Sequence, residues 1–248
     1  MTKAKSKSLP TSVIDRIVGV VDLKQGMAVH AVAGKRSEYR PVQLAKQSAG
    51  DASALLCHYR KLGIGSLYIA DLDAICGGQT QVDLILRLLE HGGFDDVLVD
   101  IGFSGAGPCN KWMQVRGRAE LVLIAATESM QNTDGLIELV DRVGPSQVAL
   151  GLDYQAGVFR SVVGSEAEWL VTADRCGVRR MVVLDTAVVG TRSGPSTLEM
   201  CWRLSQGDPR LEIDSGGGVR DAEDAKALFA AGCARCLMAT ALLECSAN

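Results

Sequence analysis

The sequence contains few histidines, prolines and aromatic residues. Its 248 residues include 3 histidines and 6 prolines, and aromatic residues make up 4%. The histidines, His30, His58 and His91, are scattered and do not form a metal-ligating pattern, so we expect surface or packing roles for them. The sequence also carries no nicotinamide or flavin signature. It therefore predicts neither a bound metal nor a cofactor.

Excess charge and long apolar segments are also missing. The formal net charge is −3, which gives no reason to expect nucleic acid or an acidic membrane surface as a partner. No stretch reaches the roughly 18 apolar residues that a membrane helix needs. The opening residues MTKAKSKSLP are basic and Ser-rich, and no apolar segment follows them. Residues 1–14 are therefore predicted to be a disordered tail rather than a secretory signal.

The eight cysteines do not form the pattern of an exported disulfide protein. They are spread from Cys57 to Cys245 in a chain without an export signal, which predicts reduced thiols and a cytoplasmic location. Cys233 and Cys236 form a C-x-x-C pair. Because no second pair or nearby histidine completes a zinc site, we expect these two to be ordinary core or turn residues.

Short apolar, β-branched runs alternate with longer segments of helical spacing. Hydrophobic residues make up 47% and charged residues 22%, as in a soluble globular protein with a sizeable core. This alternation predicts βα units whose parallel strands are buried on both faces. The eight runs are residues 16–22, 66–73, 96–102, 121–127, 147–153, 180–186, 211–217 and 235–240. They favour one closed (β/α)8 TIM barrel over residues 15–246.

The two halves of the chain resemble each other. Asp71 and Asp185 are separated by 114 positions, Asp100 and Asp214 also by 114, and Thr127 and Thr240 by 113. Asp22 and Asp153, which end the first and fifth strands, are 131 apart because the loop after the first strand is longer. The pattern predicts a duplicated half-barrel.

Two aspartates are candidate catalytic residues because of their place in the repeat. Active sites of such barrels lie at the carboxyl ends of the strands, where Asp22 and Asp153 are predicted to stand. Two carboxylates across a barrel mouth can divide acid and base roles if their pKa values differ. The alternative is that each aspartate simply caps the loop after it.

The stretch SGGG after the seventh strand is a candidate phosphate site. Glycines there let backbone N–H groups approach an anion, and these barrels often hold phosphate between the loops after strands seven and eight. A tight strand-to-helix turn is the structural alternative. The predicted ligand is a small phosphorylated substrate, and the predicted phosphate-binding residues are Ser215, Gly216, Gly217, Gly218, Ala239 and Thr240.

Five stretches are similar to the HisA and HisF family of histidine biosynthesis, whose members are duplicated (β/α)8 barrels. They are VVDLKQGMAVHAVAG (20–34), YIADLDAICGG (68–78), GLDYQAGVF (151–159), LDTAVVGTRSGP (184–195) and IDSGGGVR (213–220). The chain looks closer to HisA, the isomerase that converts an aminoaldose ribotide into an aminoketose. The resemblance implies that Asp22 and Asp153 are the acid/base pair.

The same resemblance implies further site residues. The segment with Gly190, Thr191, Ser193 and Gly194 matches the family's G-T-x-S-G, which lies over the substrate. Asp73, in the D-L-D of the second strand, is expected either to hydrogen-bond substrate or to hold the next loop. Lys24 and Arg36, in or near the loop after the first strand, could reach an anion, although such cations are usually only solvated.

The departures from the family pattern concern its second phosphate. The family carries G-G-G-I-R after the third strand, whereas the 114-residue register sets Ile101, Gly102, Phe103 and Ser104 opposite Ser215, Gly216, Gly217 and Gly218. That register puts the Phe103 ring where backbone should approach an anion. After the fourth strand Thr127 remains, but the usual preceding glycine is missing. Val189 replaces an assisting aspartate, and Leu184 stands where threonine is common.

These departures predict an enzyme retargeted to a substrate with one phosphate, catalysing an isomerisation, a condensation or an elimination. HisA-like proteins of divergent sequence also occur beside genes for one-carbon carrier biosynthesis, which implies methanopterin or methanofuran assembly as a context. The histidine-pathway isomerase itself is the nearest alternative. A non-catalytic barrel that binds a phosphorylated metabolite is another.

Overall fold

The computed structural model describes residues 9–45, 47–104 and 120–245. Its sheet closes into a ring of eight parallel strands, because the last strand pairs with the first. In chain order, β1 to β8 are Ile17–Lys24, Ser66–Asp71, Asp96–Asp100, Glu120–Ala126, Val148–Gln155, Arg180–Asp185, Glu212–Gly216 and Arg235–Met238. Every strand begins and ends within two residues of the predicted run, so the predicted (β/α)8 barrel is confirmed.

Helices connect the strands and cover the outside of the barrel. Some of them have side-chain caps at their N-termini: Asp51 caps one helix, Asp221 another, and Ser165 with Glu168 forms a capping box. The helices are Thr11–Ile14, Ala52–Lys61, Leu72–Ile75, Val82–Gly92, Asp134–Val143, Glu166–Cys176, Leu198–Gly207 and Ala222–Ala230, with 3-10 turns at Pro145–Gln147 and Thr240–Glu244. None of the helices in the described ranges is long and apolar enough to cross a membrane.

Three short antiparallel strands extend the carboxyl ends of β1 and β5. Met27–His30 folds back on β1 and pairs in turn with Arg40–Pro41. Val158–Arg160 folds back on β5. These hairpins follow the two strands that carry Asp22 and Asp153, and they build up the rim of the barrel on those two sides.

The opposite, amino-terminal end of the barrel contains a buried ion network. Arg180 and Arg235 each bind both Asp96 and Asp214, and Asp214 is fully buried. The two guanidinium groups match the two carboxylates, so the buried charges are paired as burial requires. With this end filled, the carboxyl end is the side on which a ligand enters.

The ordered chain begins earlier than predicted. Leu9 and Val13 are buried in the main hydrophobic cluster, and Thr11–Ile14 is helical. The prediction of a disordered tail up to residue 14 is therefore wrong for residues 9–14, because their apolar side chains pack against the barrel. Residues 1–8 of that tail, and residue 246, lie outside the described residues.

The sheet register corrects the alignment of β3 with β7. Ser66 pairs with Asp96 in the first half, and its repeat partner Arg180 pairs with Glu212 in the second. The repeat interval for these strands is therefore the distance from 96 to 212, or 116 positions, and not the predicted 114. Consequently Asp100 corresponds to Gly216. The four residues after it correspond in the same way: Ile101 to Gly217, Gly102 to Gly218, Phe103 to Val219 and Ser104 to Arg220.

Burial and backbone conformation agree with the corrected register. Phe103 and Val219 are both buried in the main core, at 5% and 6% exposure. Gly102 and Gly218 both have positive φ angles, 60° and 72°. The Phe103 ring thus packs in the core, and the prediction that it enters the barrel mouth is wrong. The intervals for the other three strand pairs hold, since Leu23 pairs with Asp71 as Tyr154 pairs with Asp185.

Candidate active site

A cavity of about 600 Å³ occupies the carboxyl end of the barrel. Asp22 near the end of β1 and Asp153 near the end of β5 both line it, as their repeat-related positions require. The cavity wall also includes Gly217, Gly218 and Thr240 from the loops after β7 and β8. The two predicted catalytic aspartates and part of the predicted phosphate loop therefore face the same space.

The environment of Asp22 and Asp153 favours their protonated forms. Removal from water, followed by the repulsion of Asp100, raises the pKa of Asp22 to about 7. The pKa of Asp153 is raised to about 8, first by burial and then by the charges of Glu128 and Asp100. Asp153 accepts hydrogen bonds from the Thr127 hydroxyl and the Glu128 amide, each at 3.3 Å, which oppose the shift only in part. Both groups consequently titrate near neutral pH.

A third carboxylate, Asp100, joins this pair at the cavity wall. The residue ends β3 and is 6% exposed. Its Oδ1 accepts the Gly102 amide at 2.9 Å and its Oδ2 accepts the Tyr68 hydroxyl at 3.1 Å. Burial raises the pKa of Asp100 to about 6, although the Gly102 hydrogen bond acts in the opposite direction. Its sequence position drew attention only as a repeat marker, and the corrected register reveals its place in the site.

The loop after β7 has the backbone expected of an anion site. Gly218 has φ of 72°, and a Cβ there would lie 2.4 Å from the Gly194 carbonyl oxygen, so only glycine fits. Within the described residues, the Gly218 amide has no hydrogen-bond acceptor. Thr240 lines the cavity beside it, and its hydroxyl lies 2.7 Å from His30 Nε2. The Gly218 amide and the hydrogen-bonded Thr240–His30 pair thus lie in the wall of the same cavity, as does Ala239.

Ser215 and Gly216 do not line the cavity. Ser215 is fully buried; its hydroxyl lies 2.7 Å from that of Thr197 and donates to the Val183 carbonyl oxygen at 2.8 Å. Side chains alternate along a strand, so Ser215 points to the helices while its neighbours point inwards. The structure therefore contradicts the prediction of Ser215 as a phosphate-binding residue as far as its side chain is concerned. Close packing against β8 requires a glycine at position 216, since a Cβ there would lie 2.2 Å from the Leu237 carbonyl oxygen.

The loop after β6 covers part of the cavity, as predicted, but mostly through its backbone. Gly190 lines the cavity and approaches Ala31 so closely that a Cβ would lie 1.8 Å from the Ala31 carbonyl oxygen. The Ala33 amide donates to the Val189 carbonyl oxygen at 2.8 Å, which joins this loop to the one after β1. Of the four predicted substrate contacts here, only Gly190 is in the wall, whereas Thr191, Ser193 and Gly194 are not.

The structure explains why those three residues are set apart. The hydroxyls of Thr191 and Ser193 are exposed and lie 2.7 Å from each other. Gly194 donates its amide to the Gly218 carbonyl oxygen at 2.9 Å, so it supports the phosphate loop from outside. Thr191 also donates to the Val188 carbonyl oxygen at 2.8 Å. Their local role is to fix the turn and, through Gly194, the loop after β7.

Asp73 holds a loop and does not line the cavity. Its Oδ2 accepts the Gln25 amide at 2.9 Å, which fixes the turn after β1. This decides the open prediction for Asp73 in favour of loop support. Lys24 has a similar part, because its ammonium group donates to the Arg36 carbonyl oxygen at 2.8 Å. The Arg36 side chain does line the cavity, where it pairs with Glu128 at 3.4 Å.

Cys233 and Cys236 are buried, at 2% and 0% exposure, and belong to the main core. The prediction of ordinary core or turn cysteines is confirmed. In the part of the chain that the structure describes, no group of three or more His, Cys, Asp or Glu residues is arranged to hold a metal ion.

A family model described as histidine biosynthesis protein matches residues 16–248. The chain belongs to this family. Its curated relatives cover nearly the whole barrel at low identity. An uncharacterised protein of Methanocaldococcus jannaschii is 26% identical over 227 residues, which are 92% of each chain.

Named relatives are isomerases. The 1-(5-phosphoribosyl)-5-((5-phosphoribosylamino)methylideneamino)imidazole-4-carboxamide isomerase of Lactococcus lactis is 24% identical over 221 residues, 84% of this chain and 86% of its own. The isomerase of the same name from Legionella pneumophila is 20% identical over 239 residues, 92% and 95% of the two chains. The name specifies two phosphoribosyl groups. The chain is thus related in sequence to isomerases of this family.

The site of this family member includes residues that sequence reasoning missed. His30 was expected to have a packing or surface role, yet it contacts Thr240 in the cavity. Asp100 and Glu128 were not recognised either. A strand-end position was the available signal for Asp100, but no local pattern marks the contact of His30 with a residue 210 positions away. His58 has the expected packing role, with its ring hydrogen-bonded to the Leu242 carbonyl oxygen at 2.8 Å.

Proposed function

We propose that the protein is an acid/base enzyme of the isomerase or lyase type that acts on a small substrate with one phosphate group and a carbonyl or imine. One observation carries the proposal: Asp22 and Asp153, with pKa values raised towards neutrality, line the same cavity as the open glycine loop at Gly218. A phosphate bound at one side would present the adjoining carbons to both carboxyl groups.

The phosphate would be held by neutral donors. The Gly218 amide, which has no acceptor within the described residues, would donate to the anion, and the hydrogen-bonded Thr240–His30 pair would add a donor from the wall of the same cavity. Such contacts position the substrate and exclude water from the reacting carbons. Arg192 also lines the cavity, but its guanidinium is paired with Glu244, so the site relies on the neutral donors.

The two aspartates would then transfer protons to and from neighbouring atoms of the substrate. We assign the role of base to Asp22, which takes the proton from the carbon next to the carbonyl or imine. Asp153 serves as the acid and gives its proton to the carbonyl oxygen or imine nitrogen, which yields an enol or enamine. Reversal of the proton transfers at the adjacent carbon completes an isomerisation, whereas loss of a leaving group from the next carbon completes an elimination.

The alternative is the isomerase reaction of the named relatives, and sequence similarity to them supports it. The name of that isomerase contains two phosphoribosyl groups. Against it stand the carboxylate of Asp100 in the first half of the site, and Val189 and Leu184 in the cavity wall. Rescue of a histidine auxotroph that lacks this isomerase separates the two. Growth of the complemented strain would support the histidine reaction and contradict the single-phosphate proposal.

A place in the assembly of one-carbon carriers remains part of this proposal, based on the family resemblance alone.

The direct test of the chemistry is deuterium exchange. Aldose and ketose monophosphates of three to five carbons are incubated with the protein in D2O, and deuterium next to the carbonyl is followed by NMR. We expect incorporation with one member of the series. Exchange that continues unchanged in both Asp22→Asn and Asp153→Asn would contradict the acid/base assignment and favour a non-catalytic binding protein.

A further inference from the structure

The loop after β3 is the repeat-related copy of the open phosphate loop after β7. In the corrected register Gly102 corresponds to Gly218, and the two share a positive φ of 60° and 72°. The next residues, Phe103 and Val219, are anchored alike in the core. The first half has therefore kept the Gly102 turn of an anion site, whereas Ile101 does not share the positive φ of its counterpart Gly217, 88°.

What differs is the residue at the end of the strand. Asp100 stands where the second half has Gly216, and its Oδ1 accepts the Gly102 amide at 2.9 Å. The other oxygen accepts the buried Tyr68 hydroxyl, so both ends of the carboxylate are held. The corresponding amide of Gly218 has no acceptor in the described ranges. A carboxylate of the chain is thus bonded to the amide that an incoming anion would need.

The neighbouring strand shows the same difference. Thr240 lines the cavity, but its repeat partner Thr127 is fully buried, and its hydroxyl proton is shared between the Arg160 carbonyl oxygen at 2.9 Å and Asp153 Oδ2 at 3.3 Å. The amide of Glu128, the next residue, donates to Asp153 at 3.3 Å. Both donor groups on this side of the first half are therefore already engaged within the protein.

Charge acts in the same direction. A phosphate at Gly102 would approach the carboxylates of Asp100 and Glu128, both in the wall of the same cavity. The cation on this side, Arg36, is already paired with Glu128 at 3.4 Å. Like charges brought together out of water repel each other strongly, because the interior screens them less than bulk solvent does.

We propose that Asp100 is the specificity-determining residue that limits the substrate to one phosphate, because its carboxylate fills the first anion site from within the chain. The proposal rests on the proposed function for the retained site at Gly218. It states that the end of the substrate facing Asp100 carries no anionic group. A glycine at this position, as in the second half, would reopen the site.

The test compares two ligands that cannot react, ribitol 5-phosphate and ribitol 1,5-bisphosphate, by isothermal titration calorimetry. The measured quantity is the ratio of their dissociation constants in each variant. In the natural protein we expect the bisphosphate to bind no more tightly than the monophosphate. In Asp100→Gly we expect the preference for the bisphosphate to rise by about tenfold or more, equal to about 1.4 kcal/mol.

A matched control changes the neighbouring residue to the glycine of the other half. Ile101→Gly corresponds to Gly217 and loosens the same loop, but it keeps the carboxylate, so its ratio should remain that of the natural protein. Asp100→Asn is the second variant, since it retains the shape of the side chain and removes the charge. We expect it to raise the preference for the bisphosphate in the same direction by a smaller factor.

Two outcomes would overturn the role of Asp100. One is a tenfold preference for the bisphosphate already in the natural protein. The other is a ratio that stays unchanged in folded Asp100→Gly, or in Asp100→Asn if the glycine variant does not fold. Failure of the natural protein to bind ribitol 5-phosphate would count instead against the phosphate site at Gly218, so the two claims are tested separately.

Discussion

The two half-barrels share a backbone plan and use it differently. Gly102 and Gly218 make the same turn after corresponding strands, but the first amide is bonded to Asp100 and the second is open to the cavity. Asp22 and Asp153, in contrast, keep equivalent positions and both face the cavity. Duplication thus supplies two similar frameworks, and we propose that a single strand-end residue decides whether a framework receives a ligand or becomes part of the wall.

The largest effect should come from the feature that the two halves share. Asp22→Asn and Asp153→Asn each remove a proton-transferring group, which we expect to lower kcat/KM by about 10²- to 10⁴-fold. Steady-state kinetics on the substrate found by deuterium exchange measures this. Asp73→Asn is the control, because Asp73 holds the Gln25 amide and does not line the cavity. Full activity in either active-site variant would remove the acid/base pair from the account.

Matched glycine substitutions compare the two loops directly. In Gly218→Ala the new Cβ would lie 2.4 Å from a carbonyl oxygen, and in Gly102→Ala 2.7 Å from the Ile75 Cα, so both variants are strained and less stable. We expect Gly218→Ala alone to weaken phosphate binding, by about tenfold, a loss typical of one hydrogen bond to a charged group. Titration with ribitol 5-phosphate measures it. Equal losses in both variants would mean that strain, and not anion contact, is responsible.

The pH profile tests how the first half influences the catalytic pair. In the proposed mechanism Asp22 is ionised and Asp153 is protonated, so activity should fall below about pH 7 and above about pH 8, the raised pKa values of the two groups. Because the charge of Asp100 contributes to raising both pKa values, Asp100→Asn should move both limbs of the kcat/KM profile to lower pH. A profile that does not move would show that the charge of Asp100 does not contribute to these pKa values.

The smallest effect is expected at Ser215, which the sequence assigned to the phosphate loop. Ser215→Ala removes hydrogen bonds to Thr197 and to the Val183 carbonyl oxygen, and the free energy of unfolding should fall by about 1–2 kcal/mol. The affinity for ribitol 5-phosphate should stay the same. Denaturant unfolding and calorimetry give the two numbers. A tenfold weaker affinity of the variant for ribitol 5-phosphate would show that the Ser215 side chain contributes to ligand binding.

The sequence could predict the barrel and its principal pair because those features depend on local patterns. Buried parallel strands appear as β-branched runs, and Asp22 and Asp153 stand at strand ends in a recognisable repeat. Alternation along β7 could also have excluded the Ser215 side chain, since Asp214 and Gly216 point to the opposite face. That rule requires the strand bounds to be known within one residue.

The rest of the site could not be predicted, because matching identical residues gave the wrong alignment of β3 with β7. Asp100 and Asp214 match by letter at 114 positions, yet Asp214 pairs with arginines at the floor of the barrel and Asp100 faces the cavity. Only the hydrogen-bonded ladder shows the interval of 116. The contact of His30 with Thr240 depends on closure of the barrel by β8 beside β1, which no nearby residue signals.

A crystal structure of the protein soaked in phosphate would show directly which of the two glycine loops binds an anion. We expect one ordered anion in the cavity, within hydrogen-bond distance of the Gly218 amide and the Thr240 hydroxyl, with the Asp100 carboxylate still bonded to Gly102. A second anion on the Gly102 amide, with Asp100 displaced, would contradict it.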